Sequence, residues 1–180
     1  MQQAIETLRR EHDVILAAVG ALQAMAQRAT AGQGLDAQDA SDLLAFLKEF
    51  ADTTHHGKEE GFLFPAMVAA GVPERGGPVG VMLAEHERGL EAVRAMAAAL
   101  ERGPDPSAFS AAADDYCALL RAHIVKENNV LFPMAERVIG DLEWHAMAAA
   151  FVDHDASVLG ADSRERLDRR VRSLAAKYAP

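Results

Sequence analysis

Apolar residues recur at steps of three and four along four long stretches of the chain, the spacing that gives a helix one buried face. Ile5, Leu8, Ile15, Val19, Leu22 and Ala26 share a face of the first predicted helix. The second carries Leu44, Leu47, Ala51, Phe62 and Ala66, and the third carries Val79, Met82, Leu90, Val93 and Leu100. Phe109, Ala113, Tyr116, Leu120, Val130, Met134 and Val138 mark the fourth. Gly- and Pro-rich turns separate them at 30–35 (TAGQGL), 71–78 (GVPERGGP) and 103–106 (GPDP), where helical backbone is hard to continue. Asp36 and Asp39 open the second helix and Asp105 or Ser107 the fourth, as acceptors for otherwise unpaired N–H groups. Short connections between long helices predict an all-α, up-down-up-down four-helix bundle over residues 1–140. Beyond Gly140 two shorter segments, 141–153 and 163–178, predict an accessory helical extension over 141–180 that packs on the bundle.

Six polar residues fall on these apolar stripes: His12 on the first, His55 and Glu59 on the second, His86 on the third, His123 and Glu127 on the fourth. A His and a Glu four residues apart on one helix face can reach the same metal ion. Two such pairs, with one further His from each remaining helix, form a ligand set for two metals, each taking about two imidazoles and two carboxylate oxygens. A single His on a core stripe is ordinarily a satisfied interior residue. Two carboxylates buried without a cation would instead cost several kcal/mol apiece unless paired or protonated, and no Lys or Arg shares those stripes.

The chain also repeats itself. HHGKEEGFLFP, starting at His55, aligns without a gap on HIVKENNVLFP, starting at His123, and Glu11-His12 matches Glu85-His86 more weakly. His56 and Glu60 form a competing His-x-x-x-Glu pair, but their counterparts are Ile124 and Asn128. Symmetry therefore selects His55 and Glu59, with His56 and Glu60 expected either behind the ligands or, in preference, at the surface. Pro65 and Pro133 predict bends just beyond the ligands. His145 and His154 have no partners at matching positions and are read as structural or exposed.

Composition narrows the picture further. In 180 residues, half of them hydrophobic and few aromatic, one domain is expected. A net charge of −9 argues against nucleic acid and anionic membrane as partners. The N-terminus lacks the apolar stretch of a signal peptide, and no apolar run is long enough to span a bilayer, so a cytoplasmic location is expected. Cys117 is the only cysteine, which excludes an internal disulfide and a cysteine-based metal site. Phosphate-binding loops and nucleophile–base pairs are missing, and the Arg164, Arg166, Arg169, Arg170 and Arg172 cluster reads as a solvated helix face pairing with the acidic bundle.

The pattern His12, His55-x-x-x-Glu59, His86, His123-x-x-x-Glu127, with Leu-Phe-Pro after each pair, resembles the hemerythrin-like (HHE cation-binding) family over about residues 5–139. That resemblance implies two non-heme iron ions, ahead of manganese or zinc, bridged by Glu59, Glu127 and an oxo or hydroxo group. Oxygen-carrying members use a fifth His on the third helix, where this chain has Leu90 or Met82. The four-His set is more similar to bacterial di-iron proteins of nitric oxide response and iron-centre repair, whose small N-terminal cysteine-bearing domain has no counterpart in this sequence. An apolar pocket lined by Met82, Leu90, Val93 and Tyr116 is expected to suit O2 or NO. The expected function is binding or sensing of these diatomics, or of iron, in a stress response. The alternative is a redox enzyme for NO reduction, peroxide decomposition or iron-centre repair. Ligands without a separate acid, base or substrate-recognition set favour binding and leave enzymatic activity open.

Overall fold

A computed structural model describes residues 2–101, 103–159 and 163–178, with the side chains of Gln2, Ser163 and Arg164 outside the described set. Six helices account for the regular structure among the described residues. They are α1 (Gln2–Thr30), α2 (37–69), α3 (Pro78–Glu101), α4 (106–138), α5 (Asp141–Leu159) and α6 (Ser163–Lys177). The predicted turns fall where the helices break, although α5 runs six residues past the expected end. Asp36 caps α2 by accepting from the Gln38 and Asp39 amides, and Asp105, rather than Ser107, caps α4 by accepting from Ser107 and Ala108. At the end of α2, Gly71 takes φ 96°, a conformation that costs glycine nothing, and the Val72 amide reaches back to the Met67 carbonyl.

Two apolar clusters make up the core among the described residues, and each of the first four helices contributes to both. α1 leaves the cluster of Ile5 and Leu8 and enters that of Ile15, Val19 and Leu22. α2 runs from Leu43 and Phe50 in the latter to Phe64 and Met67 in the former. α3 goes from Val79 and Met82 to Met96, and α4 from Phe109 and Leu120 to Phe132 and Ala135. On every helix the stripe polar residues lie between the two clusters. α5 adds Trp144, Met147 and Phe151 to one cluster, and α6 adds Leu167, Val171, Leu174 and Tyr178 to the other. Among the described residues no helix is long and apolar enough to cross a membrane.

α2 and α4 depart from regular α geometry. Leu47–His56, Glu59–Leu63 and Glu127–Leu131 are wound as π-helix, with the Gly57, Phe64 and Phe132 amides donating five residues back to the Asp52, Glu59 and Glu127 carbonyls. The last two segments occupy the same place in the repeat, just ahead of Pro65 and Pro133, whose rings crowd the carbonyl four residues earlier, which a wider turn relieves; Leu47–His56 has no counterpart in α4. The extra residue per turn shifts the buried stripe. The α-helical period predicted Phe62 and Ala66, but the buried residues are Leu63, Phe64 and Met67. In α4 the predicted Val130 and Val138 are exposed and Met134 is half-buried, while Leu131, Phe132 and Ala135 are buried.

Candidate metal centre

His12, His55, Glu59, His86, His123 and Glu127, all at most 3% exposed, converge between the two apolar clusters. Donor atoms here form two groups, each within 4.8 Å: His12, His55, Glu59 and Glu127, and Glu59, His86 and His123 joined by His56, which is not among the six. Each carboxylate divides its oxygens between the groups. Glu59 Oε1 lies 3.7 Å from His55 Nε2 and its Oε2 3.5 Å from His86 Nε2. Glu127 Oε2 lies 3.1 Å from His12 Nε2 and its Oε1 3.1 Å from His123 Nε2.

The outer nitrogens fix what the inner ones can do. His55 Nδ1 meets Glu11 Oε2 at 3.0 Å, His123 Nδ1 meets Glu85 Oε2 at 2.9 Å, His86 Nδ1 meets Glu60 Oε1 at 2.6 Å and His12 Nδ1 meets Asn128 Oδ1 at 3.2 Å. Each of those oxygens is an acceptor, so each Nδ1 carries the proton and, in the neutral ring, Nε2 presents a lone pair inward. His86 Nε2 and His123 Nε2 then face each other at 3.2 Å as two lone pairs, an arrangement that calls for a cation between or beside them. The Nε2 atoms of His12 and His55 and all four oxygens of Glu59 and Glu127 are buried without hydrogen-bonding geometry. This donor set fits metal ions, because orphaned buried acceptors are otherwise costly.

The protonation equilibria reflect the same crowding. Burial and the facing Glu127 carboxylate push Glu59 well above the usual carboxylate range. Burial acts on Glu127 in the same direction, but His12 and His123 outweigh it and hold Glu127 well below that range. Two buried carboxylates this close cannot both ionise without positive charge from elsewhere. Burial lowers His55 to about 4 against the pull of Glu11. For Glu11, burial alone would raise the carboxyl, and the contacts with His55 and Lys58 bring it down to about 2.

Most of the shell behind the six predicted ligands was not expected from the sequence, although the repeat carried its signature. Glu11 binds both His55 and Lys58, and its equivalent Glu85 binds both His123 and Lys126. Glu60 and Asn128, equivalent to each other, hold the lone histidines of the first and third helices. Such partners orient a ligating imidazole and raise its basicity. Glu60, 46% exposed at its side chain, does lie partly at the surface as expected, yet it is tied to His86. The surface expectation for His56 is overturned: it is buried, and its ring stacks on His86 with centroids 3.7 Å apart. In the π turn, His55 and His56 both face inward.

The two halves differ in what covers them. Lys58 is fully buried and also pairs with Asp155 of α5 at 2.7 Å, whereas Lys126 is 40% exposed. Gly57 permits the approach, since a Cβ there would come within 2.8 Å of His154 Nε2. His154 contacts the Thr53 carbonyl and His145 the Asp141 carbonyl, in keeping with structural roles. In α6, Arg169 and Arg172 pair within the helix and Arg170 pairs with Asp42 of α2.

A cavity of about 10 Å³, room for roughly one water, lies beside the second donor group. Leu90, Val93 and Tyr116 line it as expected, together with His56 and His86, but Met82 does not. Tyr116 is buried, and its phenol is shifted further toward the neutral form by that burial. Burial likewise pushes the Cys117 thiol up to about 12, leaving it inert. Compared with known families, residues 3–135 match the model described as the hemerythrin HHE cation binding domain. No curated protein and no solved structure gives a significant match.

Proposed function

The chain belongs to the hemerythrin HHE cation-binding family, and from that premise we propose that it is a non-heme di-iron protein that binds or senses O2 or NO. In this reading residues 1–140 form an up-down-up-down bundle, 141–180 an extension packed on it, and the protein works in the cytoplasm. His12 and His55 would hold one iron, His86 and His123 the other, with Glu59 and Glu127 bridging. The observation that carries the reading is the division of each carboxylate, one oxygen toward either histidine group. When bound, an iron pair supplies a redox couple and an open coordination position for a diatomic ligand.

The chain's own residues supply the rest. Glu11, Glu60, Glu85 and Asn128 keep the imidazoles in the tautomer that donates through Nε2, and the flanking apolar clusters keep bulk water away. Asp52, His56 and Tyr116 line the small cavity beside His86, and a space of about 10 Å³ admits no substrate larger than a diatomic, which keeps gas binding the preferred role; NO reduction, peroxide decomposition or iron-centre repair is the competing reading. Protein purified after iron-replete growth should contain about two irons per chain, and fewer than about one would refute the di-iron assignment. Stopped-flow spectra of the reduced protein with O2 and with NO separate the roles: a stable, reversible adduct supports binding, and sustained consumption of either gas supports an enzyme.

A further inference from the structure

Helix α5 is apolar on both sides, whereas a helix resting on a protein surface is ordinarily apolar on one. Its inner side packs Trp144, Met147 and Phe151 into the core. Its outer side carries Leu142, Ala146, Ala149, Val152 and Ala156, all of them exposed, and steps of three and four put these residues on one stripe. Among the described residues Leu142 and Val152, at 83% and 63% exposure, are the two most exposed large apolar side chains. A single apolar residue in water needs no explanation, but a continuous stripe directly behind a buried one calls for another surface to cover it.

The stripe is also symmetric about its middle. Counting from Ala149, Leu142 and Ala156 lie seven residues to either side, His145 and Asp153 four, and Ala146 and Val152 three. Two such helices laid antiparallel and crossing at Ala149 therefore bring to one level Leu142 of either copy with Ala156 of the other, and Val152 with Ala146. Large residues meet small ones, and alanine at the crossing lets the helix axes approach to about 8 Å. The polar match is complementary too. His145 and Asp153, both exposed, share a level, so an imidazole meets a carboxylate twice in the pair. His145 Nδ1 already donates to the Asp141 carbonyl, which leaves Nε2 for the carboxylate.

We propose that the outer stripe of α5 is a homodimer contact, occupied by α5 of a second copy packed antiparallel about a two-fold axis at Ala149. The contact is isologous, so every match away from the axis occurs twice. From Leu142 to Ala156 the stripe is about 21 Å long, and a single helix pair of that length falls at the small end of specific interfaces. The dimer is therefore weak, dissociating in roughly the micromolar range. The opposite side of α5 holds Asp155 against Lys58, so the second copy backs the helix that covers this half of the centre. No residue of the stripe belongs to the metal centre, and the two readings stand or fall separately.

Sedimentation equilibrium of the full chain from about 1 to 300 μM tests the contact, comparing wild type with Ala149→Glu, His145→Glu, the double variant His145→Glu with Asp153→Lys, and Val81→Glu. Wild type should pass from monomer to dimer over that range. Ala149→Glu places two carboxylates at the axis and should weaken association at least about 100-fold. His145→Glu sets carboxylate against carboxylate and should weaken it about tenfold, and adding Asp153→Lys should restore it. Val81→Glu, at an exposed apolar position on α3, should dimerise like wild type. Ala149→Cys should give a disulfide-linked dimer under mild oxidation, because the two residues meet at the axis and Cys117 is buried; should Ala149→Glu fail to fold, this cross-link decides. A wild type that stays monomeric throughout, leaving the stripe to a different protein, would overturn the proposal. So would a dimer that survives Ala149→Glu, one abolished by Val81→Glu, or the absence of a cross-link through Ala149→Cys.

Discussion

Lys58 and Lys126 occupy equivalent positions in the repeat and make equivalent contacts, to Glu11 and Glu85 respectively, so replacing each with Met separates sequence from burial. Lys58 is 0% exposed and also holds Asp155 of α5, while Lys126 is 40% exposed. Removing one member of a buried ion pair strands the other in a low-dielectric interior and costs roughly 3–5 kcal/mol, against about 1 kcal/mol or less for an exposed pair. The displacement of Glu11 from 4.5 to about 2 gives a compatible scale, since 2.5 pH units correspond to about 3 kcal/mol, shared between His55 and Lys58. Lys58→Met should therefore lower the melting temperature of the metal-free protein by about 6–12 °C for a chain of this size, and Lys126→Met by only a few degrees. Because the folded Glu11 is more acidic than the unfolded one, its stabilising contribution is complete above about pH 4.5 and lost as the pH falls toward 2. The gap between Lys58→Met and wild type should be widest near neutrality, narrower at pH 3, and close only as the pH falls through about 2. Urea titrations of the metal-free proteins at pH 7 and pH 3 measure both. Equal destabilisation by the two substitutions at pH 7, or a gap that widens in acid, would refute the assignment of Lys58 as a buried counter-ion.

Glu59→Ala and Glu127→Ala should each bind no more than one metal per chain, while Glu60→Ala should keep both with affinity reduced about tenfold, the low end for an outer-shell partner because its side chain is half exposed; titration with a competing chelator distinguishes these, and equal loss in all three would defeat the ligand assignment. In the metal-free centre Glu59 is held well above and Glu127 well below the usual carboxylate range, and His123 above its usual imidazole value. Because metal binding needs these donors deprotonated, loading should release protons, measurable with a pH indicator in weak buffer, and no release would contradict the carboxylate coupling. Gly57→Val, which installs the residue type found at equivalent position 125, forces a side chain against His154 and should cost about 1–3 kcal/mol; wild-type stability by thermal unfolding would mean that α5 adapts without loss.

The stripes, the turns and the six polar interruptions were legible in the sequence because each depends on local spacing. Helical periodicity places residues on a face, Gly and Pro break it, and a buried carboxylate is conspicuous wherever it lies on an apolar stripe. Glu11, Glu85, Lys58 and Lys126 were within reach too, since the repeat retains them beside the ligands. The inward turn of His56 was not legible, because assigning it to a face assumed 3.6 residues per turn, and π winding, here of Leu47–His56, breaks that assumption. The same kind of winding, ahead of each proline, moved burial from Phe62 and Val130 to Leu63 and Leu131. Only the tertiary structure decided that Glu11 reaches His55 on another helix and that Glu60 reaches His86. It also decided that α5 covers one half of the centre and leaves the other partly open. Sequence determines which donors exist and their order along each helix; which donor meets which across helices depends on how the chain packs, and that packing makes the two halves of a near-symmetric repeat unequal.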